Sequence, residues 1–502
     1  MSLEVIHKVA CPLCSASLRS RKPIAVGTPL RCPGCKQSFH VGSSSTAITS
    51  SPATDAPVQF IPIDDPGKSN VLRLVLVGGV GMLGLVAAFL AWRLFAPDPP
   101  STKTKKQGQP EQALVVSKPA TPVEVAPLIA LTADEEAKTK AAVQKGVAWL
   151  RAKQWPDGTW TSHGLPEGET AMTGLVLLEA GVPAEDPALK KAAAWLRATL
   201  SRTTHTYSLA LTILFLDKLK DPQDEDLLRE IALRLVAGQR LQGGWEYNCP
   251  TLTAGENASL LAMLNDTKGK DVAAHRRQHD EAWNRMPTSM RAVTALAPIP
   301  KEQDPFYFRQ GGDNSNTQFA LLGLWTARRH GVPVDAALER VVHRFRRSQK
   351  ADGSWVYNHT TDVSSPTMTC AGLLALAVGT GLSDDRTQNA ADSDAVKKAF
   401  RVVGDQIGWP GEGVKAPPPS ELYFLWSVER VGVLYHKAQI EDKDWYRWGA
   451  SSLLPNQRPE GFWHTNLGHG SSPLTDTCFA ILFLQRANLA TDLSDKLRRA
   501  AP

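Results

Sequence analysis

SQKADGSWVYN (Ser348–Asn358) carries Gln349, Gly353 and Trp355 in the spacing Q-x3-G-x-W, and the chain repeats that spacing elsewhere. The other copies are Gln154, Gly158 and Trp160; Gln239, Gly243 and Trp245; and Gln457, Gly461 and Trp463. Asp352 is not part of the pattern, because the other copies hold Asp157, Gln242 and Glu460 at its position. Glycine accepts the positive φ of a tight turn. Tryptophan brings a large flat ring with one N–H donor, and glutamine can satisfy backbone groups left unpaired at a helix end. The repeat reads as a clasp between helices, with stability rather than catalysis as its consequence.

Around the clasps, from residue 134 onward, helical patterns alternate in character. Segments near 136–153, 187–200, 223–240, 334–349, 392–405 and 441–455 have charged faces. Those near 169–180, 205–219, 253–265, 315–330, 367–380, 421–436 and 474–487 are apolar on most sides. A helix with one apolar face lies at a surface, and one apolar all round is buried. Buried and exposed helices in alternation, joined by short turns, predict an all-α ring of hairpins, an α/α toroid, over 134–490. Residues 491–502 read as a tail.

The four clasps resemble the QW motifs of the terpenoid cyclase and protein prenyltransferase superfamily, also called prenyltransferase/squalene oxidase repeats. The stretches GDNSNTQFALLGLWTARRHGVPV, YFLWSVERVGVLY and DTCFAILFLQRANLA are similar to those of a bacterial subgroup of membrane-anchored repeat proteins. The resemblance implies a barrel of about six or seven hairpins, closed last to first around a central cavity.

Cyclases of that superfamily protonate an alkene with a DxDD motif opening an inner helix. No DxDD occurs here: the matching helix starts read Asp362-Val363-Ser364-Ser365 and Thr475-Asp476-Thr477-Cys478. The protein prenyltransferases hold a catalytic zinc with Asp, Cys and His. Asp476 and Cys478 reproduce the Asp-x-Cys part, and His163 or His205 could approach across a closed ring. The alternative makes Asp476 a helix cap and Cys478 a buried apolar residue.

Polar residues at inner-helix starts form a candidate cavity mouth: His205, Asp313, Asn316, Asp362, Glu421, Asp476 and Cys478. Helix N-termini gathered at one mouth favour anionic groups, while capping accounts for each residue taken singly. His163, His359 and His464 follow motif tryptophans and read as turn residues. Phe306, Tyr307 and Phe308 are costly to expose together, so their loop reads as a cavity rim.

The N-terminal part has another character. Four of the seven cysteines, Cys11, Cys14, Cys32 and Cys35, stand as C-x2-C-x17-C-x2-C within residues 1–41. Four thiolates complete a tetrahedron around Zn2+ and leave no open position, which predicts a structural zinc ribbon; a redox pair is the alternative. Residues 42–70 and 96–133 are rich in small residues and Pro and read as linkers, the second one disordered. Leu74–Trp92 contains no charge and, as a helix, spans about 28 Å, which predicts one transmembrane helix within 71–95; a buried soluble helix is the alternative.

Lys68 and Arg73 precede this run, and Arg93, Lys103, Lys105 and Lys106 follow it, a balance that favours a cytoplasmic C-terminus. The reduced thiols of a ribbon favour a cytoplasmic N-terminus. We prefer the second orientation, which puts the toroid outside a plasma (inner) membrane.

With 502 residues the chain exceeds one ordinary core, and a formal charge of +6 spread along it does not mark a nucleic-acid binder. Architectural motifs beside absent catalytic ones point to a membrane-tethered module that binds a ligand or a partner. That reading expects Asp476→Ala and Cys478→Ala to leave fold and function nearly unchanged. An enzyme acting on an isoprenoid, glycan or peptide is the alternative, and hydrolysis would need two carboxyls about 5–10 Å apart. A third reading makes the ribbon, through Arg19, Arg21, Lys22, Arg31 and Lys36, the contact for nucleic acid or a cytosolic partner.

Overall fold

A computed structural model of the chain describes residues 6–10, 17–20, 29–31, 38–40, 47–49, 129–162, 164–267, 293, 312–358, 360–383, 386–408, 421–467 and 470–500. It divides into two units, residues 1–118 and 119–502. In the first, β1 (Ile6–Ala10) pairs antiparallel with β2 (Ser17–Ser20), and Ala10 stands opposite Ser17. β3 (Pro29–Arg31) pairs antiparallel with β4 (Ser38–His40), with Arg31 opposite Ser38, and β5 (Ala47–Thr49) joins the free edge of β1. The four ribbon cysteines and the Leu74–Trp92 run fall outside the described residues. Among the described residues, no helix is long and apolar enough to cross a membrane.

The second unit is helical. Its inner helices are α2 (Pro166–Glu179), α4 (Thr206–Leu219), α7 (Asn314–Ala327), α9 (Pro366–Leu382), α11 (Leu422–Leu434) and α13 (Pro473–Gln485). Each packs on the next, and α13 packs back on α2, so the ring closes. Around them stand α1 (Ala133–Ala152), α3 (Pro187–Thr199), α5 (Glu225–Gly238), α8 (Asp335–Ser348), α10 (Arg386–Asp405) and α12 (Trp445–Leu453). The described fold is an α/α toroid of six hairpins. Burial follows the division: every residue of α7 is buried, whereas α3 buries only Leu189, Ala192, Ala193 and Leu196.

Two segments depart from the sequence reading. The apolar stretch 253–265 is not a seventh inner helix. It lies in α6 (Ala254–Thr267), which packs on outer helix α5 and buries only Leu260 and Leu264 through that span. An i, i+4 pair of leucines makes a stripe, not an all-round apolar surface. Residues Thr491–Ala500 form a further helix, α14, that packs on α9 and α11. The ring also begins before residue 134: Ile129 is buried and its carbonyl accepts from Arg486.

The Gln–Gly–Trp copies explain how the ring is tied. Each glutamine donates from Nε2 to the carbonyl of its own glycine and to a carbonyl of the next outer helix. The second acceptors are Ala188 for Gln154, Ala337 for Gln239, Ala395 for Gln349 and Ala142 for Gln457, at 2.8–2.9 Å. The last of these links the end of α12 to α1 and closes the circle. Each tryptophan ring is buried and donates from Nε1 to a carbonyl ten residues upstream: Leu150, Leu235, Phe345 and Leu453, at 2.7–2.9 Å.

Gly158, Gly243, Gly353 and Gly461 have φ from +86° to +105°. A Cβ on any of them would come under 3.0 Å from the backbone of the neighbouring outer helix. Glycine is required twice over, by conformation and by space.

The spacing hides a fourth member. The backbone N–H of each motif tryptophan donates to a threonine on the following inner helix: Thr170, Thr317, Thr369 and Thr477. Two joints of the ring lack the motif and use cations instead. Arg234 donates to the Leu200 and Thr203 carbonyls at the end of α3, and Lys443 to the Gly404 carbonyl in α10.

Candidate functional site

Outer helices end and inner helices begin at one face of the ring, so the clasps and the expected cavity mouth share that face. The structure splits the mouth candidates into separate groups. Asp313 caps α7, accepting from the backbone N–H of Asn316 at 2.7 Å and from its side-chain amide at 2.8 Å. The Tyr357 hydroxyl also bonds to Asp313, and Tyr357 meets Tyr247 hydroxyl to hydroxyl at 3.0 Å. His205 lies against Tyr207 and Tyr247, at ring separations of 5.5 and 5.7 Å. Burial pushes the Asp313 carboxyl up and pulls the His205 imidazole down, so each tends toward its neutral form. Asp313, Asn316 and His205 therefore belong to one aromatic, weakly charged cluster.

Asp476 and Cys478 lie in a second group, and the structure gives them structural work. The Asp476 carboxylate accepts from the Thr465 N–H at 3.1 Å and the Ser471 hydroxyl at 2.7 Å, and it meets His464 Nδ1 at 3.0 Å. Glu169, the residue before Thr170 as Asp476 is before Thr477, holds the Ser162 N–H and hydroxyl in the same way, at 2.7 and 2.6 Å. Both acids pin the backbone two residues past a motif tryptophan. The expectation that Asp476→Ala leaves the fold unchanged is thereby corrected, because three polar groups lose their acceptor.

Cys478 is buried with Sγ 3.7 Å from the Thr173 hydroxyl, and burial pushes its thiol up to about 12. Among the described residues no group of three His, Cys, Asp or Glu side chains is placed to hold a metal ion. Asp362 is exposed on the α8–α9 connection, where its carbonyl accepts from Lys350. Glu421 is the half-buried N-cap residue of α11. His163, His359 and the Phe306–Phe308 loop fall outside the described residues.

The centre of the ring holds residues the sequence reading passed over. Tyr207 of α4, Phe319 of α7, Tyr423 and Trp426 of α11, and Phe479 of α13 form a chain of rings with centroids 5.0–5.5 Å apart at its closest steps. Helices α7 and α11 are separated by α9 in the ring order, so these contacts cross the lumen. Hydroxyls follow the same path: Tyr207 donates to Ser315 at 2.6 Å, Ser315 meets Tyr423 at 2.8 Å, and Tyr423 meets the Gln318 amide. Gln318 in turn accepts from Arg430, whose guanidinium carbon lies 4.4 Å from the centre of the Trp426 ring.

Glu429 and Arg430 are both buried on inner helix α11, at 0% and 5% exposure. Burial drives the Glu429 carboxyl well above its ordinary range, partly opposed by Arg430. The signal available in the sequence was the charged pair Glu429-Arg430 inside an otherwise apolar helix, a local conflict of the kind that marks special sites.

Among the described residues, the large apolar side chains that stay well exposed are Trp155, Leu241, Tyr247, Val363 and Leu467. All five stand on connections at the mouth face. The opposite face has a cavity of about 960 Å3 where α2 and α4 end, lined by Leu175, Leu214, Asp217, Glu225, Arg329 and His330 among others.

No family model matches the chain, and no curated protein does. Solved structures that resemble it include a variant of the type II terpene cyclase MstE from Scytonema with merosterolic acid A bound. That match has 14% identity and a TM-score of 0.42, and covers 71% of this chain and 99% of the other. Another is an inactive variant of an α-1,6-mannanase from Salegentibacter with α-1,6-mannotriose bound, at 9% identity and TM-score 0.41, covering 69% and 98%. A possible GH105 member from Salmonella enterica matches at 11% identity and TM-score 0.37, covering 74% and 98%. Likeness at these scores bears no weight for the chemistry of this chain, and the toroid rests on the ring contacts themselves.

Proposed function

We propose that the toroid is a binding module whose ligand or partner approaches the mouth face and reaches the aromatic lumen. The observation that carries this reading is the use of the acids at the inner-helix starts. Asp476 and Glu169 hold loops, Asp313 holds a cap, and Asp362 is exposed on a connection, so three of these four acids are taken up by structural contacts. The lumen offers aromatic faces, hydroxyls and a guanidinium, which recognise a ligand without transforming it. The apolar side chains exposed on the mouth connections support approach from that side.

The N-terminal part is proposed as the anchor: a structural Zn2+ on Cys11, Cys14, Cys32 and Cys35, then a single span within 71–95 of the plasma (inner) membrane, with the toroid outside. Supporting the ribbon, β1 and β2, and β3 and β4, pair antiparallel, the sequence between the members of each pair contains two cysteines, and four soft ligands suit zinc. Zinc would supply folding stability there and no chemistry.

A second reading is an enzyme acting on an isoprenoid, glycan or peptide. One observation favours it: burial raises the Glu429 carboxyl above its ordinary range, the direction a general acid needs. The two readings separate in one measurement. The full-length chain is screened for thermal stabilisation against prenyl, oligosaccharide and peptide compounds, and the bound compound is recovered for mass spectrometry. Binding predicts recovery unchanged; a chemically altered compound whose formation stops in Glu429→Gln would decide for the enzyme.

A further inference from the structure

Arg430 is the polar group in the ring least explained by packing. Its guanidinium is buried, yet Nε and Nη1 have no hydrogen-bond partner, and the nearby Trp426 Nε1 has none either. Its one hydrogen bond goes to the neutral amide oxygen of Gln318. Glu429, next in the chain, makes no ion pair with it among the described contacts, because consecutive residues on a helix point about 100° apart. Removing a charge from water without a counter-charge is costly, so a buried, half-satisfied guanidinium lowers stability unless something else supplies the acceptors. Arg430 is forked and planar, a shape that matches a carboxylate through two parallel bonds.

The approach to this group is also built. Tyr207, Tyr423 and Phe479 are only half-buried although they belong to the lumen, so solvent reaches the edges of rings that otherwise pack on one another, Tyr423 on Phe479 at 5.4 Å. Below them, Gln318 sits between the Tyr423 hydroxyl and Arg430 as an uncharged acceptor. A carboxylate entering along the aromatic wall would meet Gln318 first and Arg430 directly behind it.

We propose that the lumen is a receptor site for an apolar monocarboxylate. Its carboxylate displaces the Gln318 amide and takes the N–H groups of Arg430 and Trp426, and its apolar body lies along Phe319, Tyr423 and Phe479. The proposal rests on the binding-module reading and names the ligand class for it. Arg430 is the selecting residue, Gln318 the placeholder it exchanges.

The test uses the full-length chain with sodium octanoate as the probe and 1-octanol as its uncharged match, read by calorimetry and by Tm. Octanoate should bind one per chain and raise Tm, and 1-octanol should bind at least about tenfold more weakly, the loss expected when charge-assisted hydrogen bonds are absent. Gln318→Glu places a carboxylate beside Arg430 within the chain itself. It should raise the Tm of the ligand-free protein by about 2–4 °C and abolish octanoate binding. Arg430→Lys keeps the charge but loses the fork, and should weaken octanoate about tenfold or more.

Equal binding of octanoate and octanol, or octanoate binding unaltered in Gln318→Glu, would overturn the site. No binding of octanoate, with a different compound binding wild-type and Gln318→Glu protein alike, would remove this site and leave the binding reading standing. A compound recovered chemically altered would overturn the binding reading while the octanoate result stood on its own.

Discussion

The two faces of the ring are held by different chemistry. At the mouth face, the four repeated clasps use uncharged side chains that bind backbone: Gln154, Gln239, Gln349 and Gln457 to carbonyls, the motif tryptophans to carbonyls, and Thr170, Thr317, Thr369 and Thr477 to tryptophan N–H groups. At the opposite face, charged side chains bind one another. Asp217 meets Arg329 at 2.7 Å and His330 Nε2 at 3.0 Å, while Glu225 meets His330 Nδ1 at 2.7 Å. Asp492 at the start of α14 accepts from Trp325 Nε1 at 3.0 Å and faces Arg329 at 3.4 Å. The mouth face repeats and the other does not. Bonds to backbone can recur wherever the same turn recurs, whereas an ion-pair cluster depends on which side chains three or four particular helices happen to bring together.

Five substitutions would break or sharpen that contrast. Trp355→Ala should have the largest effect, about 3–5 kcal/mol, since it empties a fully buried site and strips the Phe345 carbonyl of its donor. Denaturant midpoints followed by circular dichroism would measure it, and a loss below about 1 kcal/mol would mean that the clasp is ornamental. Asp476→Ala should cost about 1–3 kcal/mol by leaving Thr465, Ser471 and His464 without their acceptor. Cys478→Ala is the smaller change at the neighbouring site, and both can be compared at one denaturant concentration.

Gln457→Leu should cost about 1–2 kcal/mol and is the sharper probe of closure, because its bond to Ala142 joins the last outer helix to the first. Hydrogen exchange should then quicken in α1 and α12 before the rest of the ring; uniform exchange would count against a closure role. Neither Trp355→Ala nor Gln457→Leu should respond to salt or to pH between about 5.5 and 8, as neither removes an ionisable group.

His330→Gln should be the mildest, no more than about 1 kcal/mol after screening by solvent, but it should carry a pH signature. Hydrogen bonds to Asp217 and Glu225 raise His330 above its ordinary value against the cost of burial. A raised value in the folded state means that its contribution is complete below about pH 6.5 and fades as pH climbs through the raised value. The wild-type chain should therefore lose a small increment of stability on the alkaline side, and the loss should be absent in His330→Gln. Identical pH profiles for the two proteins would show that the imidazole does not titrate in this way.

Much of the ring was legible in advance because its clasp is local. Gln349 and Gly353 are four residues apart and Trp355 reaches Phe345 ten residues back, so the geometry is written into a short window of sequence. The alternation of apolar and amphipathic segments added the inner and outer positions. The excess helix at 253–265 shows the limit of that signal, since a short leucine pair resembles an inner helix until its neighbours are known. The candidate site was less legible. Asp476 and Cys478 were weighed as zinc ligands against a helix cap and a buried apolar residue; Cys478 is buried as the alternative has it, while Asp476 holds a loop rather than the cap. Tyr207, Gln318 and Arg430 were passed over, because nothing near them in the chain marks them as partners.

Sequence by itself determined the repeated turn, the need for glycine within it and the helical ring that such turns join. It could do so because these depend on backbone hydrogen bonds over a few residues. Only the tertiary structure decided how many hairpins close the ring, which acids hold loops, and what stands in the lumen. Arg430 and Gln318 are 112 residues apart, and Asp217 and His330 are 113 apart. Contacts across such separations exist only once helices distant in the sequence have been brought together in the folded ring.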